Sequence, residues 1–194
     1  MKTILATTSP HRIKAFQKLD LDFITEASNV DEYTPERPGG PKELVKYLAK
    51  LKAEAVIKNH SEGIVIGFDS VGYFNGKILE KPQNKEESIS RLKTLSNNTY
   101  SFYTGIYMFN LDNGISLLDS VKTELSMKNI DEKEIIKYLK QDSKYNTYAH
   151  GYDPLEHYSS TFVKEIKGSW SNVLLGIPLS KIMEMLFEIG YKLD

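Results

Sequence analysis

The sequence contains no cysteine among its 194 residues. This absence excludes disulfide bonds, zinc sites with thiolate ligands and catalysis by a cysteine nucleophile. Proteins of the reducing cytoplasm commonly lack disulfides. We therefore expect a cytoplasmic protein.

An excess of charge of one sign is also absent. The chain has 25 Lys+Arg and 26 Asp+Glu, so its formal net charge is only −1. Proteins that bind nucleic acids or anionic membranes through a broad surface usually carry a marked basic excess. We therefore expect no nucleic acid partner and no membrane partner, and any anion-binding site must be local.

Long apolar runs are missing as well. The first six residues carry one lysine and an apolar run too short for a signal peptide, and no later run approaches membrane-spanning length. No internal repeat and no break in composition marks a linker. With 40% hydrophobic residues, the chain can form one sizeable core, so we predict a single domain over residues 1–194.

The stretch 63–82 combines a short buried-type strand with an isolated acid. Ile64 to Ile66 are β-branched and apolar, Gly67 permits a close approach by another backbone, and Asp69 is predicted at the strand end. Asn75-Gly76 predicts a tight hairpin, which leads to Lys81. Asp69 and Lys81 are therefore candidate site residues, although a strand-ending acid and a solvated lysine would give the same pattern.

The N-terminal region predicts an anion-binding turn. A strand over residues 3–7 is followed by a helix over residues 10–19, with the Ser9 hydroxyl predicted at its N-cap and Pro10 at its first position. His11 and Arg12 fall in the first turn of this helix, where the helix dipole disfavours a cation. Free N–H groups at a helix start together with an arginine suit phosphate, although Arg12 could equally extend into water.

A lysine on the apolar face of the next helix is a further candidate. The pattern of residues 41–59 is helical, and Lys52 lies inside its apolar arc, whereas Lys46 and Lys50 fall on the solvent side. Such a lysine either extends past the helix edge or points into an anion-binding cleft. The polar loop before this helix carries Glu32, whose carboxylate would suit Mg²⁺ but is as often only solvated.

The second half of the chain predicts mainly structural elements. Residues 145–158 form an aromatic, irregular segment with His150 and His157, which lack a third metal ligand at suitable spacing. The predicted elements are a helix over 86–96, strands over 100–110 and 115–127, a helix capped by Asp131 and Glu134, a strand over 162–166, a turn over 168–172 and a helix over 178–186.

Several short motifs together resemble the Maf family of nucleoside triphosphate pyrophosphatases, whose fold is related to that of the inosine triphosphatases. The motifs are Leu5 to Arg12, Val30 to Glu32, Leu48 to Ala53, Ile66 to Ser70, Asn75-Gly76, Leu79 to Pro82, Phe102 to Gly105 and Gly176 to Leu179. The resemblance implies an elongated single-domain α/β protein, with a mixed β-sheet flanked by helices and a central cleft between two lobes. It also implies hydrolysis of a nucleoside triphosphate to the monophosphate and pyrophosphate.

The resemblance assigns roles to individual residues. It implies that Asp69 is the proton acceptor and that Asp69 and Glu32 hold a divalent cation, Mg²⁺ or Mn²⁺. The residues implied to bind the substrate phosphates are Ser9, Arg12, Lys52 and Lys81. The residues implied to select the base are His11, Ser70 and Glu156.

This sequence departs from the family pattern near the base-selecting residues. Residues 151–159 replace the usual glycine-rich loop, His11 replaces an arginine or tryptophan, and Ser70 replaces a threonine or glutamine. Members with glutamate at the position of Glu156 act on N7-methylguanosine triphosphate, so we expect a guanine-type base. The alternatives are a catalytically impaired nucleotide-binding regulator and a non-enzymatic division or assembly factor. A homodimer also stays open.

Overall fold

The structure, a computed structural model, describes residues 1–34 and 36–193. In chain order the elements are β1 (Thr3–Ala6), α1 (Pro10–Gln17), β2 (Phe23–Thr25), α2 (Pro41–Ile57), β3 (Ile64–Phe74), β4 (Lys77–Leu79), α3 (Lys85–Leu95), β5 (Thr99–Asn110), β6 (Ser116–Met127), α4 (Glu132–Gln141), β7 (Val163–Lys167), α5 (Trp170–Leu175) and α6 (Leu179–Glu188). Short 3₁₀ turns occupy Tyr145–Thr147 and Tyr158–Thr161. The alternation of helices and strands confirms the predicted α/β class.

The described residues form one mixed sheet of seven strands. Its order is β2-β1-β3-β5-β6-β7, and β4 pairs with β3 off this path. Strand β1 runs parallel to both β2 and β3, whereas β4 is antiparallel to β3 and β7 is antiparallel to β6. The predicted mixed sheet is therefore confirmed.

The chain divides into two compact units, each with its own core. The first comprises Met1–Ser70, Thr104–Val121 and Leu175–Asp194, and the second comprises Val71–Tyr103 and Lys122–Leu174. Apolar residues of β1, α2 and β3 pack together in the first unit, and aromatic side chains dominate the core of the second. The assignment of residues 1–194 to a single domain stays a prediction.

Two glycines allow α2 to lie unusually close to the sheet. A Cβ atom on Gly67 of β3 would overlap the carbonyl oxygen of Ala49, and one on Gly105 of β5 would overlap that of Val45. The small side chain of Ala53 also faces Gly67. The close approach predicted for Gly67 is confirmed, and it brings the backbone of α2 against the strand that carries Asp69.

Strand β3 does not end at Asp69, and the predicted position of that residue at a strand end is wrong. The parallel pairing with β1 stops at Ala6 and Gly67, and antiparallel pairing with β4 begins at Gly72. Between these two pairings the other neighbour of β3 in the sheet is β5, so the strand continues through Asp69 to Phe74. Asp69 therefore lies just beyond the end of the neighbouring parallel strand.

One predicted turn and one predicted capping box are confirmed. Asn75 and Gly76 have φ angles of 47° and 78°, as the predicted hairpin requires. Asp131 and Glu134 form the predicted capping box of α4, with hydrogen bonds of 2.8 and 3.1 Å. The turn predicted over residues 168–172 is wrong after Ser169, because α5 begins at Trp170.

His150 is a core residue of the second unit. The Tyr100 hydroxyl lies 2.8 Å from its Nδ1 atom, and the Val173 carbonyl oxygen lies 3.2 Å from its Nε2 atom. Its ring stacks on Phe102 at 3.7 Å between centroids. Burial lowers the pKa of His150 to about 3, so the neutral imidazole supports packing.

Among the residues described, no helix has the length and apolarity needed to cross a membrane.

We expect Thr3→Val to stabilise the protein. Thr3 in β1 is fully buried, and its Oγ1 atom has no hydrogen-bond partner among the described residues. Valine has the same shape and removes this unsatisfied hydroxyl, so we expect the free energy of unfolding to rise by about 1 kcal/mol. Thermal unfolding should show Tm higher by about 2–4 °C. A lower Tm would mean that the hydroxyl has a favourable partner.

Candidate active site

The N-terminus of α1 lies directly after β1. Pro10 occupies the first helical position and Ser9 the N-cap, but the Ser9 side chain makes no capping hydrogen bond. Instead, the Ser9 amide donates to the Thr7 hydroxyl at 3.2 Å. The first-turn amides of α1 therefore receive no oxygen from Ser9, in contrast to the capping that the sequence predicted.

Arg12 points toward β3. Its NH1 group donates to the Phe68 carbonyl oxygen at 3.1 Å, and its NH2 group donates to Ser70 Oγ at 2.9 Å. Its guanidinium lies 5.7 Å from the centre of the Phe68 ring. Burial lowers the pKa of Arg12, while the negative charges of Asp69 and Glu32 oppose this effect. Extension of Arg12 into water is therefore wrong for this structure.

Lys52 links two carboxylates. Its Nζ atom lies 2.6 Å from Asp69 Oδ1 and 2.8 Å from Glu32 Oε1. Only 13% of the Lys52 side chain is exposed, against 49% for Lys50, two residues earlier on α2. The inward orientation predicted from the helical pattern is confirmed, and the close packing of α2 on β3 explains why Lys52 reaches Asp69.

The charges in this cluster are balanced. Asp69 is buried, and burial raises its pKa, while Lys52 and Arg12 act to lower it and Glu32 acts to raise it. Two cations therefore compensate two carboxylates within one small volume. An ionised Asp69 therefore depends on these cations.

Glu32 reaches the cluster from a loop. The loop was predicted from its polar, proline-rich composition, and its residue Pro35 lies outside the described residues. The neighbouring Asp31 accepts a hydrogen bond from the Tyr33 amide at 2.9 Å, an Asx turn that shapes the backbone. Of these two adjacent acids, Asp31 therefore has a local role and Glu32 contacts Lys52.

Thr104 is a residue of the cluster that the sequence did not assign. It is fully buried in β5, and its Oγ1 atom lies 2.8 Å from Ser70 Oγ. Since β3 and β5 are neighbours in the sheet, the two hydroxyls meet across adjacent strands. The only signal in the sequence was that Thr104 lies in one of the motifs that carry the family resemblance.

A comparison with known families matches residues 2–189 to the family described as Maf-like protein. This chain belongs to the Maf-like protein family. It is 36% identical over 188 residues to a dTTP/UTP pyrophosphatase of Clostridium perfringens strain ATCC 13124, with 96% of each chain covered. It is 34% identical over 187 residues to a 7-methyl-GTP pyrophosphatase of Pseudoalteromonas translucida, which covers 96% of this chain and 91% of the relative.

The Maf-like chain also resembles a solved structure. The Staphylococcus aureus Ham1 protein aligns with a TM-score of 0.53 and 16% identity, covering 97% of this chain and 98% of that chain. At this identity the similarity shows the fold alone. It agrees with the fold that the family resemblance implied.

Two residues predicted for the site of this Maf-like chain belong to the second compact unit. Lys81 is exposed, and its backbone carbonyl accepts a hydrogen bond from the Gln83 side chain at 3.1 Å. Glu156 is exposed in the segment that replaces the glycine-rich loop, and its amide donates to Asp153 Oδ1 at 3.2 Å. His11, which is partly buried in α1, belongs to the first unit.

The segment around Glu156 contains a potential ligand group. Donor atoms of Asp153, Glu156 and His157 all lie within 4.8 Å of one another. However, Asp153 Oδ1 already accepts hydrogen bonds from the Leu155 and Glu156 amides, at 2.8 and 3.2 Å. These bonds explain the loop conformation.

Asp69 and Glu32 fit a divalent cation better. Both present a carboxylate oxygen to the same positive charge, the Lys52 ammonium, which shows that one cation can contact both side chains. Carboxylate oxygens are the ligands that Mg²⁺ and Mn²⁺ prefer, and Mg²⁺ typically takes one or two of them, with water and phosphate oxygens as the remaining ligands. The donor set in the Maf-like chain is therefore suited to the predicted metal.

Proposed function

We propose that this chain is a nucleoside triphosphate pyrophosphatase, which hydrolyses its substrate to a nucleoside monophosphate and pyrophosphate. The observation that carries the proposal is the buried Asp69 carboxylate, held 2.6 Å from the Lys52 ammonium and close to Arg12. A carboxylate base and cations in one cluster are the groups that phosphoryl transfer needs. Family membership and the two pyrophosphatase relatives support the same activity.

The cations would bind the triphosphate. A triphosphate carries about four negative charges, and their neutralisation at the reacting and leaving phosphates is a large part of catalysis in this reaction class. Arg12 and Lys52 would contact phosphate oxygens from the first unit, together with Ser9 and the first amides of α1. Lys81 would add a further positive charge.

Asp69 would act on the attacking water. A carboxylate within hydrogen-bond distance of water can orient it and accept its proton. In the structure Asp69 Oδ1 contacts the Lys52 ammonium. When Lys52 contacts a phosphate oxygen of the substrate instead, the Asp69 carboxylate would be free to contact the water. A divalent Mg²⁺ or Mn²⁺ held by Asp69 and Glu32 would lower the pKa of the water and neutralise phosphate charge.

We expect alanine substitution of Arg12, Lys52 or Lys81 to weaken nucleotide binding. Loss of one charge-assisted contact corresponds to about 1.5–3 kcal/mol, or roughly tenfold to a hundredfold in Kd. Arg12→Lys should recover only part of the loss, because a lysine cannot make the two-pronged contacts of a guanidinium. The measurement is titration calorimetry with the nucleotide in the presence of Ca²⁺.

A lysine on the same helix supplies the control for this series. Lys50 is half exposed and pairs with Glu54 at 3.7 Å on the surface of α2. Lys50→Ala removes the same charge and should leave Kd unchanged, since exposed pairs contribute little. Unchanged affinity in all three site variants would place the phosphate site elsewhere.

We propose that Glu156 favours a guanine-type base, with N7-methylguanosine triphosphate as the first candidate. The guanine edge offers adjacent N–H donors, which a carboxylate accepts together, whereas uracil and thymine add carbonyl oxygens that a carboxylate repels. The methylated base is cationic, which adds Coulomb attraction. Overall sequence identity does not indicate which base is preferred, because the dTTP/UTP and 7-methyl-GTP pyrophosphatases are 36% and 34% identical to this chain.

We expect Glu156→Gln to shift the preference toward UTP and dTTP. An amide both donates and accepts, so it matches the mixed edge of a pyrimidine, and one such change typically alters kcat/KM by about tenfold or more. The measurement compares kcat/KM for N7-methylguanosine triphosphate, GTP, UTP and dTTP. Glu165→Gln, an exposed position on β7, is the control. A wild type that prefers UTP, or an unchanged ranking in Glu156→Gln, would refute this role.

The other functions considered from the sequence have less support. A catalytically impaired regulator would be expected to lose the acid or a cation of the cluster. This chain keeps the Asp69–Lys52 pair, and Arg12 is bound to the residues on either side of Asp69, Phe68 and Ser70. A non-enzymatic division factor has no feature in its favour. The cytoplasmic location and the homodimer stay predictions.

A further inference from the structure

Ser70 and Thr104 form a hydroxyl pair next to the Arg12 guanidinium. Thr104 Oγ1 lies 2.8 Å from Ser70 Oγ, which in turn accepts from Arg12 NH2 at 2.9 Å. The family resemblance assigns Ser70 to base selection, but these hydrogen bonds connect Ser70 to Arg12, the cation proposed to bind phosphate. We propose that Ser70 and Thr104 are positioning residues that fix Arg12 for the triphosphate, whatever base the nucleotide carries. This inference rests on the phosphate-binding role proposed for Arg12.

The hydrogen-bond directions support this role. Arg12 can only donate, so Ser70 Oγ must accept from it. A serine hydroxyl has one proton and two lone pairs, and its rotation is free unless a second partner holds it. Thr104 is that second partner, and because Thr104 is fully buried in β5 it cannot exchange the bond for water. The pair therefore gives Arg12 a fixed acceptor.

Two anchors determine the plane of the guanidinium. NH2 is bound to Ser70 Oγ, and NH1 is bound to the Phe68 carbonyl oxygen at 3.1 Å. Because the five N–H donors of arginine lie in one rigid plane, fixing both terminal nitrogens also fixes the direction of the remaining donors. Among the described residues, loss of the Ser70 anchor would leave the guanidinium one hydrogen bond, about which it can turn. A group held in advance binds a phosphate with a smaller loss of entropy.

The two roles for Ser70 predict different results. Substitution of a base-selecting residue changes the ranking of nucleotides and has no effect on the binding of a ligand without a base. Substitution of a residue that positions Arg12 weakens the binding of every nucleotide by a similar factor and also weakens the binding of inorganic pyrophosphate. Pyrophosphate is therefore the probe that separates them.

The central test is Thr104→Val, which removes the hydroxyl and keeps the shape of the side chain. We expect calorimetry to show Kd for pyrophosphate raised by about threefold to tenfold, the range for loss of one hydrogen bond. KM for GTP, UTP, dTTP and N7-methylguanosine triphosphate should rise by the same factor, without a change in ranking. Ser70→Ala should act in the same direction, and Thr104→Ser should restore binding.

A double-mutant cycle tests whether the effect passes through Arg12. In an Arg12→Ala background, Thr104→Val should cause no further loss of pyrophosphate affinity, because the group that it positions is gone. Thr3→Val is the matched control: it is the same substitution at a fully buried threonine of the same unit, but Thr3 Oγ1 has no partner among the described residues. It should leave Kd for pyrophosphate unchanged.

Three results would overturn the inference. The first is an unchanged Kd for pyrophosphate in a folded Thr104→Val or Ser70→Ala variant. The second is a reordered ranking of nucleotides in Ser70→Ala. The third is that Thr104→Val lowers pyrophosphate affinity as much in the Arg12→Ala background as in the wild type. If Thr104→Val does not fold, the partly exposed Ser70→Ala variant carries the test alone. A wild type that binds pyrophosphate through Arg12 but releases none from nucleotides would refute the proposed activity and leave the positioning role intact.

Discussion

Asp69→Asn is expected to abolish the release of pyrophosphate from nucleoside triphosphates. Asparagine has nearly the same size, so the packing of this buried position in β3 is preserved. It cannot accept a proton from water, and loss of a general base typically lowers kcat by a factor of about a hundred to ten thousand. The loss should be larger if Asp69 also holds the divalent cation, because an amide is a weak ligand for Mg²⁺.

The assay must measure pyrophosphate separately from orthophosphate, with Mg²⁺ and with Mn²⁺. Asp31→Asn is the control, because Asp31 lies in the loop beside Glu32 and its Oδ1 atom accepts a local hydrogen bond from the Tyr33 amide. An asparagine supports the same Asx turn, so activity should be retained. Orthophosphate as the sole product, or full turnover in Asp69→Asn, would rule out the proposed reaction.

Gly67→Ala is expected to destabilise the protein more than any surface substitution. The added Cβ would overlap the Ala49 carbonyl oxygen and come within 2.9 Å of the Ala53 Cβ atom. Neither α2 nor β3 can avoid this overlap by a side-chain rotation, because the obstructing oxygen belongs to the backbone. We therefore expect a loss of about 3 kcal/mol or more, at the upper end for overpacked cores.

Thermal unfolding followed by circular dichroism would measure this loss. A decrease of about 3 kcal/mol corresponds to a Tm lower by roughly 6–12 °C for a chain of this size. Gly39→Ala is the control, since among the described residues no heavy atom outside its chain neighbours lies within 4 Å of a Cβ built there, and its φ angle lies outside the left-handed region. A Gly67→Ala protein with wild-type Tm would show that α2 does not depend on this close approach.

The same substitution should also affect the site. Lys52 lies on α2 between Ala49 and Ala53, and it contacts Asp69, two residues after Gly67. Displacement of α2 from β3 would lengthen the 2.6 Å contact between Lys52 Nζ and Asp69 Oδ1. Reduced stability and reduced nucleotide affinity are therefore expected together in Gly67→Ala.

The sequence by itself determined the features that depend on residues close in the chain. The hairpin at Asn75-Gly76 follows from the φ angles that those two residues tolerate. The capping box of Asp131 and Glu134 needs only a spacing of three residues. The inward position of Lys52 follows from the 3.6-residue period of α2, which places it among apolar neighbours whatever the helix packs against.

Only the tertiary structure decided which distant groups meet. Strand β3 passes through Asp69 because β5 lies beside it where the pairing with β1 has ended and that with β4 has not begun. The Ser70 hydroxyl contacts Arg12 from α1 and Thr104 from β5. Glu32, one of two adjacent acids in a loop, joins the cluster through Lys52. Each of these outcomes depends on hydrogen bonds and charges supplied by segments far apart in sequence, and no local propensity encodes that choice.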